Sequence, residues 1–205
     1  MAHPISDDAA DDAPVTGTPI SVSVSVSVGV GVGVAVAVVG SGNCSPQDEQ
    51  LAEEVGRKLA EVGALVVTGG LGGVMAAACR GARAGGGTTV GILPGERRSE
   101  ANRWVSLAVP TGLGEGRNLV VVRAADALVA VGGEYGTLSE IAFALKLGRP
   151  VVGLATWELR RHGATGPDPG VHLARDAATA VAMAVRLARR RASSPCGPCP
   201  DDRAP

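Results

Sequence analysis

Short apolar runs alternate along this chain with longer segments in which apolar residues recur every three or four positions. Gly33 to Val39, Ala64 to Thr68, Thr88 to Leu93, Val105 to Val109, Ala127 to Val131 and Pro150 to Leu154 have the length and composition of buried strands. Leu51, Val55, Leu59 and Val62 keep helical spacing, as do Leu138, Ile141, Ala142 and Leu145. Further helices are predicted over Val74 to Ala84, Asn118 to Ala125 and, after a Pro/Gly loop, about Leu173 to Arg191. Ser45 followed by Pro46 reads as a cap and first helical residue. Regular alternation of this kind predicts an α/β fold. It is a Rossmann-like three-layer sandwich, a mostly parallel sheet with helices on both faces.

The ends of the chain follow other rules. Residues 1 to about 20 are rich in Asp, Ala, Pro and Thr, and a Ser-Val repeat starts at Ser21 and passes through Gly-Val and Ala-Val pairs to Val39. Its period of two is a strand signal, but the whole repeat would make a strand of roughly 60 Å, several times the usual length. Only its end is expected in the core. The expected organisation is a low-complexity, disordered extension over 1–33, one Rossmann-like domain over 34–192 and a disordered tail over 193–205.

Charge and composition narrow the partners. The net charge is −1 and aromatic residues make up 2% of the chain, so neither the basic footprint nor the stacking platforms of a nucleic-acid binder appear. No run of 18 apolar residues marks a membrane span. No basic residue precedes Arg57, whereas Asp7, Asp8, Asp11 and Asp12 do, which fits neither a secretory nor a transit segment. The cytoplasm is the expected compartment. Cys44, Cys79, Cys196 and Cys199 form no disulfide framework, and His3, His162 and His172 have no ligand spacing, so no metal site is expected. Cys196-Gly197-Pro198-Cys199 spells a dithiol motif, but it lies among prolines in a polar tail rather than at a helix start.

Three predicted strands end in glycine turns: Gly40-Ser41-Gly42, Gly69 to Gly73, and Gly132 to Gly136. Turns at the carboxyl ends of parallel strands converge where ligands bind, and a helix start there offers free N–H groups to an anion. A phosphorylated small-molecule ligand follows. A standard dinucleotide site does not, since Ser45 stands where the third glycine belongs and Thr68-Gly69-Gly70 offers no acid for a ribose. The Walker A pattern is absent too.

Thr68-Gly69-Gly70-Leu71-Gly72-Gly73-Val74-Met75, Gly116-Arg117-Asn118 and Gly132-Gly133-x-Tyr135-Gly136-Thr137-x-x-Glu140 together resemble the LOG-type (SLOG) Rossmann superfamily. That group includes cytokinin riboside 5′-monophosphate phosphoribohydrolases, molybdenum-cofactor carrier proteins and members once labelled lysine decarboxylases. The resemblance implies Gly40, Ser41, Gly42, Gly69, Gly70, Gly73, Met75, Arg117, Asn118, Gly132, Gly133, Gly136 and Thr137 as ligand-binding residues. It implies Glu140 and Arg117 as catalytic ones, and a homo-oligomer. The hydrolase motif Pro-Gly-Gly-x-Gly-Thr-x-x-Glu has Val131 in place of its proline here, and its Arg-Lys pair reads Arg117-Asn118. Both departures resemble the uncharacterised and cofactor-carrier branch more than the cytokinin-activating enzymes.

Two functions of different classes follow. One is binding of a nucleotide-type ligand or pterin-type cofactor, a nucleotide or molybdenum cofactor, with no cofactor required for chemistry. The other is hydrolysis of the N-glycosidic bond of a nucleoside 5′-monophosphate. Thr137-Leu138-Ser139-Glu140 also reads as a capping box, which would give Glu140 a purely structural task. Lys58 and Lys146, the two lysines, are both poorly placed beside the glycine turns for a Schiff base.

Overall fold

A computed structural model describes residues 33–193, so residues 1–32 and 194–205, with most of the Ser-Val repeat and the Cys196–Cys199 motif, lie outside the described residues. Seven strands run β1 (Ala35–Gly40), β2 (Leu65–Thr68), β3 (Thr89–Leu93), β4 (Leu107–Pro110), β5 (Ala127–Val131), β6 (Val151–Leu154) and β7 (Val171–Ala174). They pair in the order β4-β3-β2-β1-β5-β6-β7, every pair parallel. Helices α1 (Pro46–Glu61), α2 (Gly73–Ala84), α3 (Arg117–Arg123), α4 (Tyr135–Lys146) and α5 (Ala177–Ser193) cover the sheet. The expected sandwich is present, with a sheet parallel throughout.

Period-two alternation in β1 divides the interior. Val36 and Val38 join a core with Leu59 of α1, Val74 of α2 and Ala180 of α5. Ala37 and Val39 point the other way, to Val121 of α3 and Ile141 of α4. Strands covered on both faces must be apolar at every position, which explains runs such as Ala127 to Val131, buried throughout.

The α1–α2 contact is made backbone to backbone. A methyl group on Gly56 would collide with the Ala78 carbonyl, and one on Gly81 with the Glu53 carbonyl. The start of β1 is tied down by Asp126, whose carboxylate accepts the Ala35 N–H at 3.0 Å. This is a structural task, a tie between two distant parts of the chain rather than a local turn. Ser45 caps α1 by accepting the Asp48 N–H at 3.1 Å, and Pro46 opens the helix, as predicted.

Two boundaries differ from the sequence reading. Strand β4 begins at Leu107 rather than Val105, because the Asn102 side chain accepts the Trp104 N–H at 3.1 Å and holds 102–105 in a turn. Residues 171–174, predicted as loop and helix start, form the edge strand β7, and α5 begins only at Ala177. Asp176 sets that start by accepting the Thr179 N–H at 2.7 Å, a capping signal the Ala/Arg pattern had obscured. Among the described residues, no helix is long and apolar enough to cross a membrane.

Gly56→Ala and Gly81→Ala set two effects against each other. Alanine favours a helix interior by about 1 kcal/mol over glycine, whereas overpacking costs about 1–3 kcal/mol. Because the clashing atoms are backbone, the helices must part, and each variant is expected to lose about 1–2 kcal/mol net. Urea unfolding measures it; a midpoint equal to or above the wild type would show that the helices do not touch there.

Candidate ligand-binding site at the strand switch point

Strand order reverses between β1 and β5, where Gly40 stands opposite Val131. In an open parallel sheet the connections on either side of such a point leave in opposite directions and open a crevice. A cavity of about 640 Å³ lies there. Val39, Gly40, Ser41 and Gly42 form one side, with Leu71 and Met75 from the second glycine turn and α2. Pro94, Gly114 to Gly116, Arg117 and Asn118 form another, and Glu134 to Thr137, Ser139, Glu140 and Phe143 of α4 a third. The structure therefore brings Gly40, Ser41, Gly42, Met75, Arg117, Asn118, Gly136, Thr137 and Glu140 to one cavity.

Gly69, Gly70, Gly73, Gly132 and Gly133 do not line it; they stand behind its wall. A side chain on Gly69 would occupy the place of the Arg117 guanidinium, so this glycine makes room for the arginine. Gly73 abuts the backbone of Ser41 and Gly42, and the Val74 N–H donates to the Ser41 carbonyl at 3.1 Å, joining the first two turns. Gly133 has φ +102°, a conformation that side chains rarely adopt. Gly132 donates to the Leu154 carbonyl at 3.1 Å and accepts from the Thr156 hydroxyl. Asn102, absent from the sequence reading, braces the second turn through its Nδ2, which donates to the Gly70 and Leu71 carbonyls at 3.1 and 2.9 Å. The Asn118 amide donates to Ser139 Oγ at 3.0 Å and so links α3 to α4.

Arg117 is the electrostatic centre of the cavity. Its side chain is 8% exposed, yet Nε and Nη1 are buried with no hydrogen-bond partner. Burial depresses its affinity for a proton, and only the Coulomb field of Glu140 opposes that. The two are not an ion pair within 4 Å among the described residues. Glu140, 6% exposed, is pushed up to about 8 by loss of solvent, with Arg117 as a partial offset. At neutral pH the carboxyl is therefore mostly uncharged. The cavity then holds a guanidinium with free donors beside a neutral acid, an arrangement short of an anion.

The capping-box reading of Glu140 fails. Helix α4 starts at Tyr135 with Glu134 at its cap, so Glu140 lies in the second turn, too far along to fold back on a cap N–H. The motif alignment also needs correction. Counted back from Gly136-Thr137, the hydrolase proline falls on Gly132 and the second glycine on Glu134, not on Val131. Glu134 has φ −110° and ψ −161°, extended backbone that tolerates a side chain, and it faces the cavity.

Several candidates stand elsewhere. Arg97, Arg98, Arg103 and Lys146 are exposed and off the cavity wall; Lys58 is half-buried beside Glu54 and off it as well. Cys44 is half-buried, and desolvation, then Glu49 and Asp48, push its thiol up. Among the described residues no group of three or more His, Cys, Asp or Glu could hold a metal ion. The sequence reading took Tyr135 and Leu71 only as parts of motifs, and passed over Phe143 and Glu115; their place on the wall follows from tertiary packing that spacing does not reveal.

A doubly wound parallel sheet with glycine turns around a switch-point cavity defines a Rossmann-like domain. The chain belongs to the SLOG cluster4 family, whose model matches residues 33–182. An uncharacterised protein of Archaeoglobus fulgidus is 43% identical over 116 residues, 57% of this chain and 76% of that protein. Among solved structures, the molybdenum cofactor binding protein of Rippkaea orientalis superposes with a TM-score of 0.66 at 30% identity, covering 74% of this chain and 94% of its own. The Moco carrier protein of Chlamydomonas reinhardtii gives 0.66 at 33% identity, over 77% and 99% of the two chains.

Glu140 links stability to pH. The usual carboxyl value is 4.5 and the folded one about 8, so the folded chain holds the proton more tightly between these values. The resulting stabilisation is complete below pH 4.5 and is lost as pH rises through 8. Glu140→Gln removes the titration. The wild type should therefore lose stability relative to the variant across that window, by at most about 1.4 kcal/mol per pH unit. Parallel stability profiles in urea titrations from pH 5 to 9 would place Glu140 in water.

Proposed function

We propose that the chain binds a phosphorylated, nucleotide-type or pterin-type ligand in the switch-point cavity. The observation that carries this reading is Arg117, a buried guanidinium with unpartnered nitrogens in the cavity wall. A buried cation is retained only where something compensates it, and a phosphate matches the planar donor fork. The neutral Glu140 carboxyl supplies a further donor to such an oxyanion. The cavity falls in the range of small-molecule sites, about 300–1,000 Å³.

Similarity to proteins named for binding and carrying the molybdenum cofactor supports the pterin-type form. That cofactor joins a fused-ring pterin to a phosphate, and the residues here fit it: Arg117 would hold the phosphate, and the apolar wall of Leu71, Met75 and Phe143 would face the ring system. Bound, the group supplies redox chemistry to whatever enzyme receives it; this chain's residues bind and shield it.

Hydrolysis of a nucleoside 5′-monophosphate is the second reading, favoured by Glu140 and Arg117 meeting in one cavity. At neutral pH it meets an obstacle. An uncharged carboxyl cannot stabilise an oxocarbenium-like centre as a carboxylate does, although it can donate a proton to a leaving base. Incubation with a panel of nucleoside 5′-monophosphates separates the two. Release of free base and ribose 5-phosphate, abolished in Glu140→Gln with binding preserved, makes the chain an enzyme; saturable binding without release makes it a binder.

Arg117→Ala is expected to weaken phosphate-bearing ligands by about 1.5–3 kcal/mol, roughly 10- to 150-fold. The unphosphorylated analogue should be nearly unaffected in calorimetric titrations. Equal losses for both would mean that Arg117 acts through the fold. Assembly as a homo-oligomer belongs to the same reading, supported by the family resemblance and checked by light scattering.

A further inference from the structure

The chain has four aromatic residues, Trp104, Tyr135, Phe143 and Trp157. Tyr135 and Phe143 line the cavity, and Trp157 packs on Tyr135 with ring centroids 5.7 Å apart at 41°. Trp104 lies apart, with the guanidinium groups of Arg80 and Arg103 5.4 and 5.5 Å from the ring centroid. Three of four aromatic rings are thus gathered at one site in a chain otherwise built from Ala, Val and Gly.

Tyr135 is 80% exposed, well above the other exposed large hydrophobic residues, Val62, Leu107, Leu113 and Leu173, at 50–56%. A ring that packs for stability covers itself; this one is left open on the wall of a cavity. Its position is fixed on both sides. It is the first residue of α4, directly after a turn whose two glycines hold positive φ. Behind it, Ala155 takes φ +51°, a left-handed conformation that costs a non-glycine residue about 1 kcal/mol or more, and the Thr156 hydroxyl donates to the Gly132 carbonyl. The segment that carries Trp157 is thereby pinned to the same glycine turn.

We infer that Tyr135, backed by Trp157, is the stacking platform for a flat heteroaromatic ring in the ligand, and that it sets selectivity for ring-bearing phosphates over plain sugar phosphates. The inference rests on the phosphate reading of Arg117 and adds the ring. Tyr135 precedes Glu140 by five residues on one helix, roughly 7.5 Å of rise. That separates the aromatic ring from the part of the wall where Glu140 faces the field of Arg117, the separation a phosphate and a ring need when a linker joins them. Stacking on an exposed tyrosine tolerates many rings, because every base or fused heterocycle has a π-face.

The test compares flavin mononucleotide and adenosine 5′-monophosphate with ribose 5-phosphate, and riboflavin and adenosine with ribose, by calorimetry on the full chain. The wild type should bind at least one ring-bearing phosphate about tenfold or more tightly than ribose 5-phosphate. Tyr135→Ala should abolish that preference while leaving ribose 5-phosphate within twofold, and Tyr135→Phe should keep it. Circular dichroism melts of both variants show whether the fold is retained. If Tyr135→Ala has not folded, Trp157→Ala takes its place and should lower the same ratio several-fold. A ratio unchanged by losing the ring, or no ring preference in the wild type, overturns the inference. The two readings fail differently. Ring-bearing compounds that bind equally with and without phosphate sink the Arg117 reading and leave the Tyr135 ratio measurable on riboflavin and adenosine.

Discussion

The pairing of β1 with β5 is the constraint on which the rest depends. It joins strands from distant parts of the chain, in register from Val36 opposite Ala127 to Gly40 opposite Val131, and it is where the strand order reverses. Everything at the site follows from that junction. The first glycine turn leaves β1 on one side, and the third leaves β5 on the other. Helices α3 and α4 then close on the gap from the face opposite α1 and α2. No loop of unusual length is needed to build the cavity, because the topology opens it.

Charge inside that cavity is arranged by exclusion rather than by pairing. Arg117 and Glu140 are close enough to feel each other's field and too far apart to form an ion pair within 4 Å. Each is shifted toward its neutral form by burial, with the carboxyl displaced across the physiological range. Had they paired, the guanidinium would be compensated and the cavity electrostatically inert. Their separation leaves attraction for an outside anion. It also ties that attraction to the protonation state of one buried acid.

Much of the architecture was legible from spacing alone, for reasons visible in particular residues. β1 and β5 are short, wholly apolar and run into glycine turns, and Ser45-Pro46 announces α1 without ambiguity. β7 was not legible, since Val171-His172-Leu173-Ala174 is a short, partly exposed edge strand that runs into an alanine-rich helix. At the site, glycine turns and Arg117 were marked by motif. The division of labour among the glycines was not. Gly69 and Gly133 act from behind the wall, through the space and backbone conformation they provide, and no spacing rule reports which side of a turn faces a void. Glu140 shows the limit most clearly. Its sequence context spells a cap, but the helix begins three residues earlier than that pattern implies, at Tyr135 rather than Leu138, and tertiary burial decides its chemistry.

The register of β1 against β5 also bears on how the molecule comes into being. Ala35 N–H and the Asp126 carboxylate that holds it are 91 positions apart. Strands β1 to β4 can associate through neighbouring connections, but the cavity has no third side until β5 and α4 have been made and docked. Contacts that join such distant positions carry the entropy of closing a long loop, and parallel sheets of this kind fold slowly for that reason. During synthesis, then, a chain released only as far as β4 exposes the edge of β1 and has nothing to offer a ligand. The cavity is complete only once the two halves of the sheet have met.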